Sequence, residues 1–465
     1  MSIIELMYFP RKKLENMPFK FVEGIKQKLK TDEHFAELVK SSGIAFGLRI
    51  LGLISGYVFT LLVTRTLGAR AWGIFALCLV ILQVSSVIGR LGMDTALLRF
   101  TAEYVARSEV NVLKNIYKNI LKIIIPFSIF IAFFVYLLSP ILASKVFHKL
   151  YLTNYFRIVS FVIVPFVLLW IHTEGIRGLK KIKDCILLRQ TGIFFIATII
   201  FLCGLLLFKT EKLPLLSYSI SVFIISTLAI LTWNKYLKAK ILSTKEQANQ
   251  LTPISYRYIL SVSIPMLLSS SLFLIMNWTD TIMLGIFRSA KDVGIYNVAV
   301  RLATITSLSL MAVNTIAAPK FAEFWGKGDL EGLKKVVRQS TKLIFWTSAP
   351  VLILYLIFPK WFMGLFGQEF KKGALALIFL TIGQFINAAS GSVGYILSMT
   401  GNQKLASYIM LIATLLNFVL NVLLIPIYGI NGSAIASTIS LAFWNLTFAF
   451  FVYKKLGIIS ILNIF

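Results

Sequence analysis

About twelve apolar segments, each long enough to cross a lipid bilayer, occupy most of this 465-residue sequence. A transmembrane helix rises about 1.5 Å per residue and therefore needs roughly twenty apolar residues. Hydrophobic residues make up 58% of the chain and charged residues only 14%, which excludes an ordinary soluble domain. The segments lie near residues 43–64, 72–97, 119–139, 156–174, 186–208, 214–233, 258–284, 293–317, 340–358, 374–398, 405–426 and 430–452. We therefore predict an all-α polytopic membrane protein with about twelve transmembrane helices.

A helical hairpin in the first half of the sequence is repeated in the second half. Residues 41–104 join two apolar runs through a short turn, and the same plan returns from about Leu260. The two hairpins end in similar residues, TAEY at 101–104 and FAEF at 321–324. Because six spans return a chain to its starting side, we expect two parallel six-helix lobes around a central cleft. The predicted division is a basic amphipathic cytoplasmic segment at 1–40, an N-lobe at 41–233, a cytoplasmic linker at 234–257, a C-lobe at 258–453 and a cytoplasmic tail at 454–465.

The net charge of +28 is interpreted as a signal of membrane topology. The basic residues stand in short tracts between apolar runs, without a basic surface domain that interleaves aromatic residues, so we expect no nucleic-acid partner. Most of the 47 Lys and Arg residues fall on the side of the predicted topology that holds the N-terminus. The positive-inside rule then predicts a multi-pass protein of the cytoplasmic membrane with both termini in the cytoplasm.

The sequence contains no recognisable pattern of a catalytic or metal centre. Its three cysteines lack paired spacing, and it has no GxxxxGK[ST] loop, no HExxH motif and no plausible nucleophile triad. We therefore expect a protein that is not an enzyme and that holds no cofactor. A polytopic glycosyltransferase or polysaccharide polymerase stays open as an alternative, although the predicted outer loops are short for either.

Three arginines inside the apolar segments suggest a binding site for an anion. Arg49 and Arg90 stand in the first hairpin, and Arg301 stands in the repeated one. A charged side chain near the bilayer centre costs about 2.5–3.5 kcal/mol on insertion scales, so it requires a cavity, a partner or a charged ligand. We predict that these arginines, together with Asn297, line the cleft and bind an anionic substrate group through guanidinium forks. The structural alternative for Arg90 is a pair with Asp94, four residues further along the helix.

Polar residues in the seventh, eleventh and twelfth segments suggest a second site. The candidates for coupling transport to Na⁺ or H⁺ are Asp280, Asn277, Asn417, Asn421 and Ser437. The tenth segment adds Gln384 and Asn387 as candidate substrate ligands. Interhelical hydrogen bonding is the alternative for these amides, and an ion pair with Arg301 is the alternative for the carboxylate.

The sequence resembles the polysaccharide transporter branch of the multidrug/oligosaccharidyl-lipid/polysaccharide exporter superfamily. The resemblance rests on TRTLGARAWG at 64–73, AEY at 102–104, RGLKK at 177–181 and the plan of about twelve helices. It implies a flippase of a bacterial or archaeal cytoplasmic membrane that moves a polyprenyl-diphosphate-linked oligosaccharide between leaflets, for O-antigen, capsule or exopolysaccharide assembly. It also implies contact with membrane lipids and, as partners, a polysaccharide polymerase and glycosyltransferases.

Two transporters of the same superfamily stay open as alternatives. A multidrug or cation antiporter would favour an apolar, acidic cavity over one that carries arginines. A lipid II flippase usually has fourteen helices and more basic residues in its first hairpin. The mechanism that we expect is alternating access, in which two lobes rock about the cleft while the arginines hold the diphosphate and the polyprenyl tail stays in lipid.

Overall fold

A computed structural model describes residues 33–243 and 255–462, with side chains described from residue 47 onward except at 268–274, 276 and 277. Residues 1–32 of the predicted segment at 1–40 and residues 244–254 of the linker at 234–257 therefore lie outside the described residues, while 234–243 of that linker continue a helix. Every regular element in the described ranges is a helix. The predicted all-α architecture is confirmed.

The N-terminal half begins with a helical hairpin and continues with six further helices. The first helix, α1, has 58 residues and consists of two arms that meet at Gly68, where φ is 80° and ψ is −176°. A glycine occupies this position because a side chain disfavours positive φ. The helices of this half are α1 Glu33–Arg90, α2 Met93–Ala106, α3 Val110–Ile141, α4 Leu152–Gly178, α5 Ile182–Ile186, α6 Ile193–Leu207 and α7 Leu213–Ser243, with π-helical turns at Leu142–Val146 and Leu187–Gly192.

The C-terminal half starts at Tyr256 and is also entirely helical in the described residues. Its helices are α8 Tyr256–Phe287, α9 Ala290–Thr304, α10 Ser307–Gly326, α11 Leu330–Ile357, α12 Pro359–Gly364, α13 Ala374–Ser390, α14 Val393–Met399, α15 Gln403–Tyr428 and α16 Ile430–Leu456, with a 3₁₀ turn at Gln368–Gly373. The helices α9 and α10 are bent by 42° relative to each other and together form one broken span.

The number of spans agrees with the sequence-based prediction. Among the described residues, nine helices are long and apolar enough to cross a membrane, or ten when the bent pair of α9 and α10 counts as one span. Counting the two arms of α1 separately, and adding the 32-residue helix α8, brings the number to twelve. The chain thus has the predicted twelve-helix plan with two lobes.

The predicted continuous span at 72–97 is wrong in one respect, since the helix breaks after Arg90. Leu91 and Gly92 both adopt positive φ, at 51° and 72°, and a new helix starts at Met93. A Cβ atom on Gly92 would overlap the carbonyl oxygen of Ser263 on α8. The break therefore lets α2 of the N-lobe contact α8 of the C-lobe.

A second contact between the lobes lies close to the Gly68 bend, at the end of the bundle that we call the Gly68 end. Here the second arm of α1 crosses α9 with backbone against backbone, because Gly73 faces Ala290 and Gly294 faces Ala69. A Cβ atom on either glycine would overlap a carbonyl oxygen of the other helix. Small residues at such crossings let helices approach closely within a membrane. The lobes thus meet through α1 and α9 at the Gly68 end and through α2 and α8 at the opposite end.

Candidate functional site

A pocket of about 570 Å³ lies between the N-lobe and α8, towards the end opposite Gly68. The residues that line it are Gln83, Val87, Arg90, Asp94, Thr95, Phe166, Trp170, Glu174, Arg177, Leu267 and Trp278. The helices α1, α2 and α4 supply the charged groups, while α8 supplies Leu267 and Trp278. We call this cavity the arginine pocket. Its position between the lobes means that relative movement of the lobes would change its shape.

Arg90 is the most deeply buried cation of the arginine pocket. It is the last residue of α1 and is only 5% exposed. Its Nη1 lies 2.9 Å from Oδ2 of Asp94, its Nε donates to the carbonyl of Ser86 at 3.2 Å, and its guanidinium carbon lies 4.3 Å from the ring centroid of Trp170. The structure therefore shows the ion pair with Asp94 that the helical spacing suggested, and it also places Arg90 in the wall of a cavity.

The same tryptophan carries a second guanidinium that sequence reasoning did not single out. Arg189, from the π-helical turn, lies with its guanidinium carbon 4.2 Å from the Trp170 ring centroid. Its Nη1 is 2.5 Å from Oε1 of Glu174, and Arg177 lies 3.1 Å from the other oxygen of that carboxylate. Cation–π contacts gain strength when the cation is shielded from water. Trp170 and Glu174 thus hold two further arginines beside the one at the end of α1.

Arg49 lies near this group rather than among the residues that line the pocket. Its Nε is buried and makes no hydrogen bond with any described residue. The π-helical turn packs directly against this part of α1, since Thr191 Oγ1 donates to the carbonyl of Leu48 at 3.2 Å. Together with Arg90, Arg177 and Arg189, Arg49 supplies four positive charges against the two carboxylates of Asp94 and Glu174. The region therefore has an excess of two positive charges.

Arg301 and Asn297, both predicted to bind substrate, contact the N-lobe across the lobe interface. Arg301 Nη1 donates to Thr60 Oγ1 at 2.9 Å, and its guanidinium carbon lies 4.8 Å from the Trp72 ring centroid. Asn297 Oδ1 accepts from Trp72 Nε1 at 3.1 Å, and Tyr57 donates its hydroxyl hydrogen to the carbonyl of Arg301. Neither residue lines the arginine pocket in this conformation. The sequence-based prediction placed Arg301 and Arg90 in one cavity, but in the structure only Arg90 lines the arginine pocket.

Asp280 lies at the centre of a buried polar cluster within the C-lobe. Its Oδ1 accepts from Asn421 Nδ2 at 2.8 Å and from Asn417 Nδ2 at 3.2 Å, both on α15. Its Oδ2 accepts from the hydroxyls of Tyr296, at 2.7 Å, and of Ser437. Four of the five residues predicted for ion coupling thus converge, while the side chain of Asn277 lies outside the described residues. We call this group the aspartate site.

The aspartate site combines a buried negative charge with oxygen atoms that lack a hydrogen-bond partner among the described residues. Asp280 is 9% exposed, and in the described part of the chain no Lys or Arg forms an ion pair with it. Asn421 Oδ1 and Ser433 Oγ are buried nearby without a hydrogen-bond partner. Carboxylate, amide and hydroxyl oxygens are the ligands that hard cations prefer. The donor set therefore fits a cation such as Na⁺, and protonation of the carboxylate would satisfy the same charge.

The two remaining candidates, Gln384 and Asn387, bond to each other within the C-lobe. Asn387 Nδ2 donates to Gln384 Oε1 at 3.2 Å, and the same oxygen accepts from Ser307 Oγ at 3.1 Å. These contacts join α13 to the start of α10, just after the break that follows α9. The contact of Gln384 with Ser307 matches the interhelical hydrogen bonding that we left open as an alternative.

Polar contacts join the two lobes at the Gly68 end. Glu369, in the 3₁₀ turn, accepts from the backbone nitrogen of Ala69 at 2.5 Å and lies 2.6 Å from Lys291 Nζ. Arg65 Nε donates to the carbonyl of Leu365 at 2.6 Å. Lys149, in the loop before α4, donates to the carbonyl of Gly285 on α8 at 2.5 Å, and its burial lowers the pKa of its ammonium group. This end of the lobe interface is therefore closed in the structure.

Comparison with known proteins identifies relatives among membrane transporters. Over 167 residues the chain is 30% identical to the probable low-salt glycan biosynthesis flippase Agl15 of Haloferax volcanii, which covers 36% of this chain and 35% of that protein. It is 24% identical over 395 residues to an uncharacterized membrane protein of Methanocaldococcus jannaschii, covering 78% and 74% of the two chains. The alignment with Agl15 thus spans about a third of that protein's length.

Solved structures with the same fold include transporters of several functions. A lipid II flippase, MurJ in an inward closed conformation, matches with a TM-score of 0.68 and 16% identity over 89% of this chain and 87% of that chain. A MOP superfamily transporter from Pyrococcus furiosus matches with a TM-score of 0.60 and 14% identity over 90% and 96%. At these identities the likeness establishes the two-lobed fold.

Family profiles agree with this fold. The profile described as MatE matches residues 265–423, in the C-lobe. The profile described as polysaccharide biosynthesis protein matches residues 38–325, which is more than half of the chain. The chain therefore belongs to the polysaccharide biosynthesis protein family, within the superfamily of multidrug, oligosaccharidyl-lipid and polysaccharide exporters.

Proposed function

We propose that this protein is a flippase that moves a polyprenyl-diphosphate-linked oligosaccharide across the cytoplasmic membrane by alternating access. The observation that carries the proposal is the arginine pocket, a cavity between the two lobes that is lined by Arg90 and Arg177, with Arg189 stacked on its Trp170 wall. The relative named as a glycan biosynthesis flippase supports the same class of cargo. The lipid would be supplied by glycosyltransferases and passed to a polysaccharide polymerase on the other side.

The diphosphate group would bind through Arg90, Arg177 and Arg189. A planar guanidinium donates two parallel hydrogen bonds to phosphate oxygens, which gives both affinity and orientation. The carboxylates of Asp94 and Glu174 hold these arginines in place before the substrate arrives. An incoming diphosphate therefore exchanges one anionic partner for another, so the buried cations are never left without a counter-charge. This exchange favours release as well as binding, which a transport cycle requires.

The two lobe contacts provide the alternating access. In the structure the Gly68 end is closed by backbone packing, by the contact of Glu369 with the Ala69 nitrogen and by that of Lys149 with the Gly285 carbonyl, while the pocket lies towards the other end. With the N-terminus in the cytoplasm, the Gly68 end faces outward. Opening the Gly68 end while α2 stays packed against α8 would turn the pocket to the outer leaflet. The polyprenyl tail stays in the bilayer throughout, so only the polar headgroup crosses the protein.

The aspartate site would couple this cycle to Na⁺ or H⁺. A buried carboxylate with neutral donors alone is stabilised when it gains a cation or a proton. Asp280, Asn417, Asn421 and Ser437 would hold the ion, and loss of the ion on one side of the membrane would bias the direction of movement. The ion supplies the driving force, while the arginine pocket selects the cargo.

A vesicle assay tests the proposed function. Purified protein is placed in liposomes that contain a fluorescent polyprenyl-diphosphate disaccharide, and a membrane-impermeant quencher measures how much label reaches the outer leaflet. We expect rapid loss of protected label with the diphosphate lipid and much slower loss with the matching monophosphate. Transport of a cationic dye without movement of the lipid would instead identify a multidrug antiporter and overturn the proposal.

A further inference from the structure

We propose that Tyr296 is the positioning residue through which the aspartate site controls the contact between the lobes. The inference rests on the proposed function in one respect, because it assigns the means by which an ion at Asp280 drives the movement. Tyr296 is 1% exposed and donates its hydroxyl hydrogen to Asp280 Oδ2 at 2.7 Å. The pattern of polar residues in the sequence gave no sign of this contact.

The helix that carries Tyr296 is a short element with defined ends. Helix α9 has 15 residues and starts with a capping box, in which Ser289 and Asp292 bond to each other's backbone nitrogen. It ends at Thr304, where the chain bends by 42° into α10. Capping fixes the first turn, and the bend separates α9 mechanically from the rest of the broken span. A helix of four turns bounded in this way moves as one body.

The residues that follow Tyr296 on α9 contact the other lobe. Asn297, the next residue, accepts from Trp72 Nε1 at 3.1 Å. Arg301, one turn later, donates to Thr60 Oγ1 at 2.9 Å, and its backbone carbonyl accepts from the Tyr57 hydroxyl. One short helix therefore contacts the aspartate site on one face and three N-lobe side chains on the other.

The second hydroxyl at the carboxylate provides an internal comparison. Ser437 bonds to the same oxygen, Oδ2, and its Oγ also lies 3.4 Å from the Tyr296 hydroxyl, but it stands on α16, whose described hydrogen bonds stay within the C-lobe. A serine hydroxyl can also turn about one bond when its acceptor is lost, without displacing its helix. The hydroxyl oxygen of Tyr296 lies in the plane of a rigid buried ring, so it can move away from Asp280 only if the ring or α9 moves. Occupancy at the aspartate site is thus transmitted by Tyr296 and not by Ser437.

A double-mutant cycle tests this link without depending on the identity of the ion. Asp280→Asn imitates a neutralised carboxylate, and Tyr296→Phe removes the linking hydroxyl but keeps the ring. Spin labels at Lys183→Cys and Lys404→Cys, which are exposed on opposite lobes, report the distance between the lobes. A Cys203→Ser background removes the exposed native thiol. Each variant is compared as the full chain in lipid nanodiscs by pulsed electron paramagnetic resonance.

The spin-label distances should fall into two populations, one for each conformation of the alternating-access cycle. We expect each single variant to shift the ratio of these two distance populations in the same direction by about tenfold, which is the effect of losing one hydrogen bond to a charged group. The double variant should show no further shift, because both changes break one link. Ser437→Ala should shift the ratio by less than a third as much. Trp72→Phe, which removes the donor to Asn297, should reduce the response to Asp280→Asn by at least half.

The link is overturned if Tyr296→Phe leaves the wild-type distances unchanged, if the two single effects add in the double variant, or if Ser437→Ala has the same effect as Tyr296→Phe. If Tyr296→Phe does not fold, the Trp72→Phe variant decides, and an undiminished response to Asp280→Asn in that variant overturns the link. The outcome is separate from the vesicle assay. A protein that fails to move the diphosphate lipid but shows a non-additive cycle would keep the link and lose the substrate assignment.

Discussion

The N-lobe and the C-lobe both bury charge, but they neutralise it in opposite ways. In the arginine pocket each described cation that lines the cavity has a carboxylate within 3.1 Å, and the cavity is large enough for a ligand. In the aspartate site the carboxylate has four neutral donors and no cationic partner among the described residues. The comparison teaches that the N-lobe is arranged to exchange one anion for another, whereas the C-lobe is arranged to accept a positive charge.

The largest effect is expected from breaking an ion pair of the arginine pocket. Arg90→Gln leaves Asp94 buried without its partner, which destabilises the fold by about 3–5 kcal/mol. Because about 3 kcal/mol of charge-assisted bonding to the substrate is also lost, flipping should fall about 100-fold. Thermal unfolding in detergent and the vesicle assay measure the two effects.

The matched control for this variant is the neutral pair Arg90→Gln/Asp94→Asn. It should recover most of the lost stability and none of the lost transport, because the substrate still lacks its guanidinium. If the neutral pair moves the diphosphate lipid at the wild-type rate, Arg90 is only structural. The proposed difference between the lobes, anion exchange in one and cation binding in the other, would then be contradicted.

Next in size is the effect of Asp280→Asn in the aspartate site. Asparagine keeps the volume but not the charge, so the rate should fall about tenfold and lose its dependence on Na⁺ or on the pH gradient, as expected for one lost charge-assisted interaction. Binding of inorganic pyrophosphate, measured by calorimetry, should change by no more than the roughly tenfold shift between lobe conformations, because every residue of the arginine pocket is retained. A variant that keeps full ion dependence would contradict the role given to this carboxylate.

The lobe contact at the Gly68 end should respond to added volume. A Cβ atom on Gly73 would overlap the carbonyl oxygen of Ala290, and overpacking of this kind costs about 1–3 kcal/mol. Gly73→Ala should therefore open this end and slow transport about fivefold. The control is Gly326→Ala, since a Cβ atom there has no heavy atom within 4 Å. Equal effects of the two substitutions would mean that close approach of α1 and α9 is unnecessary.

The smallest effect is expected at the ion pair of Glu369 with Lys291. Both residues belong to the C-lobe, so the pair acts on the lobe interface only by holding Glu369 beside the Ala69 nitrogen. Both side chains are partly exposed, at 31% and 45%, so the pair contributes only about 0.2–1 kcal/mol. Glu369→Gln should shift the ratio of the two distance populations by less than about fivefold, and high salt should reduce the difference. Glu323→Gln is the control, because Glu323 pairs with Lys327 at the end of α10 at the same 2.6 Å. A larger shift in the control would contradict a role for Glu369 in closing the lobes.

The sequence predicts the helices and four of the five residues of the aspartate site for the same physical reason. Apolar runs of fixed length identify spans, and a polar residue inside such a run must find a partner or a ligand. Asp280, Asn417, Asn421 and Ser437 were therefore predicted as one group, and the structure brings them together. Tyr296 did not stand out, because a tyrosine in an apolar segment is equally suited to an apolar core. Its role becomes visible only from the hydrogen bond that its hydroxyl makes to Asp280 on the neighbouring helix.

The arginine pocket could be predicted less well. Arg90 was recognised, but Trp170, Glu174 and Arg189 lie 80 or more residues away in the sequence, and each resembles an ordinary interfacial residue. Their grouping depends on how the π-helical turn packs against α1 and α4, which no local pattern specifies. Arg301 shows the reverse case. Its burial was predicted, but its partners across the lobe interface depend on which conformation the lobes adopt.

Photochemical labelling tests the central claim most directly. A polyprenyl-diphosphate disaccharide with a photoreactive group on its first sugar is bound to the protein in nanodiscs, irradiated, and the labelled peptides are identified by mass spectrometry. The account predicts label on the α4 residues of the arginine pocket, Phe166, Trp170 and Glu174, and its loss when excess unlabelled lipid competes. Label confined to lipid-facing residues such as Phe130 or Phe195, with none in the pocket, would contradict it.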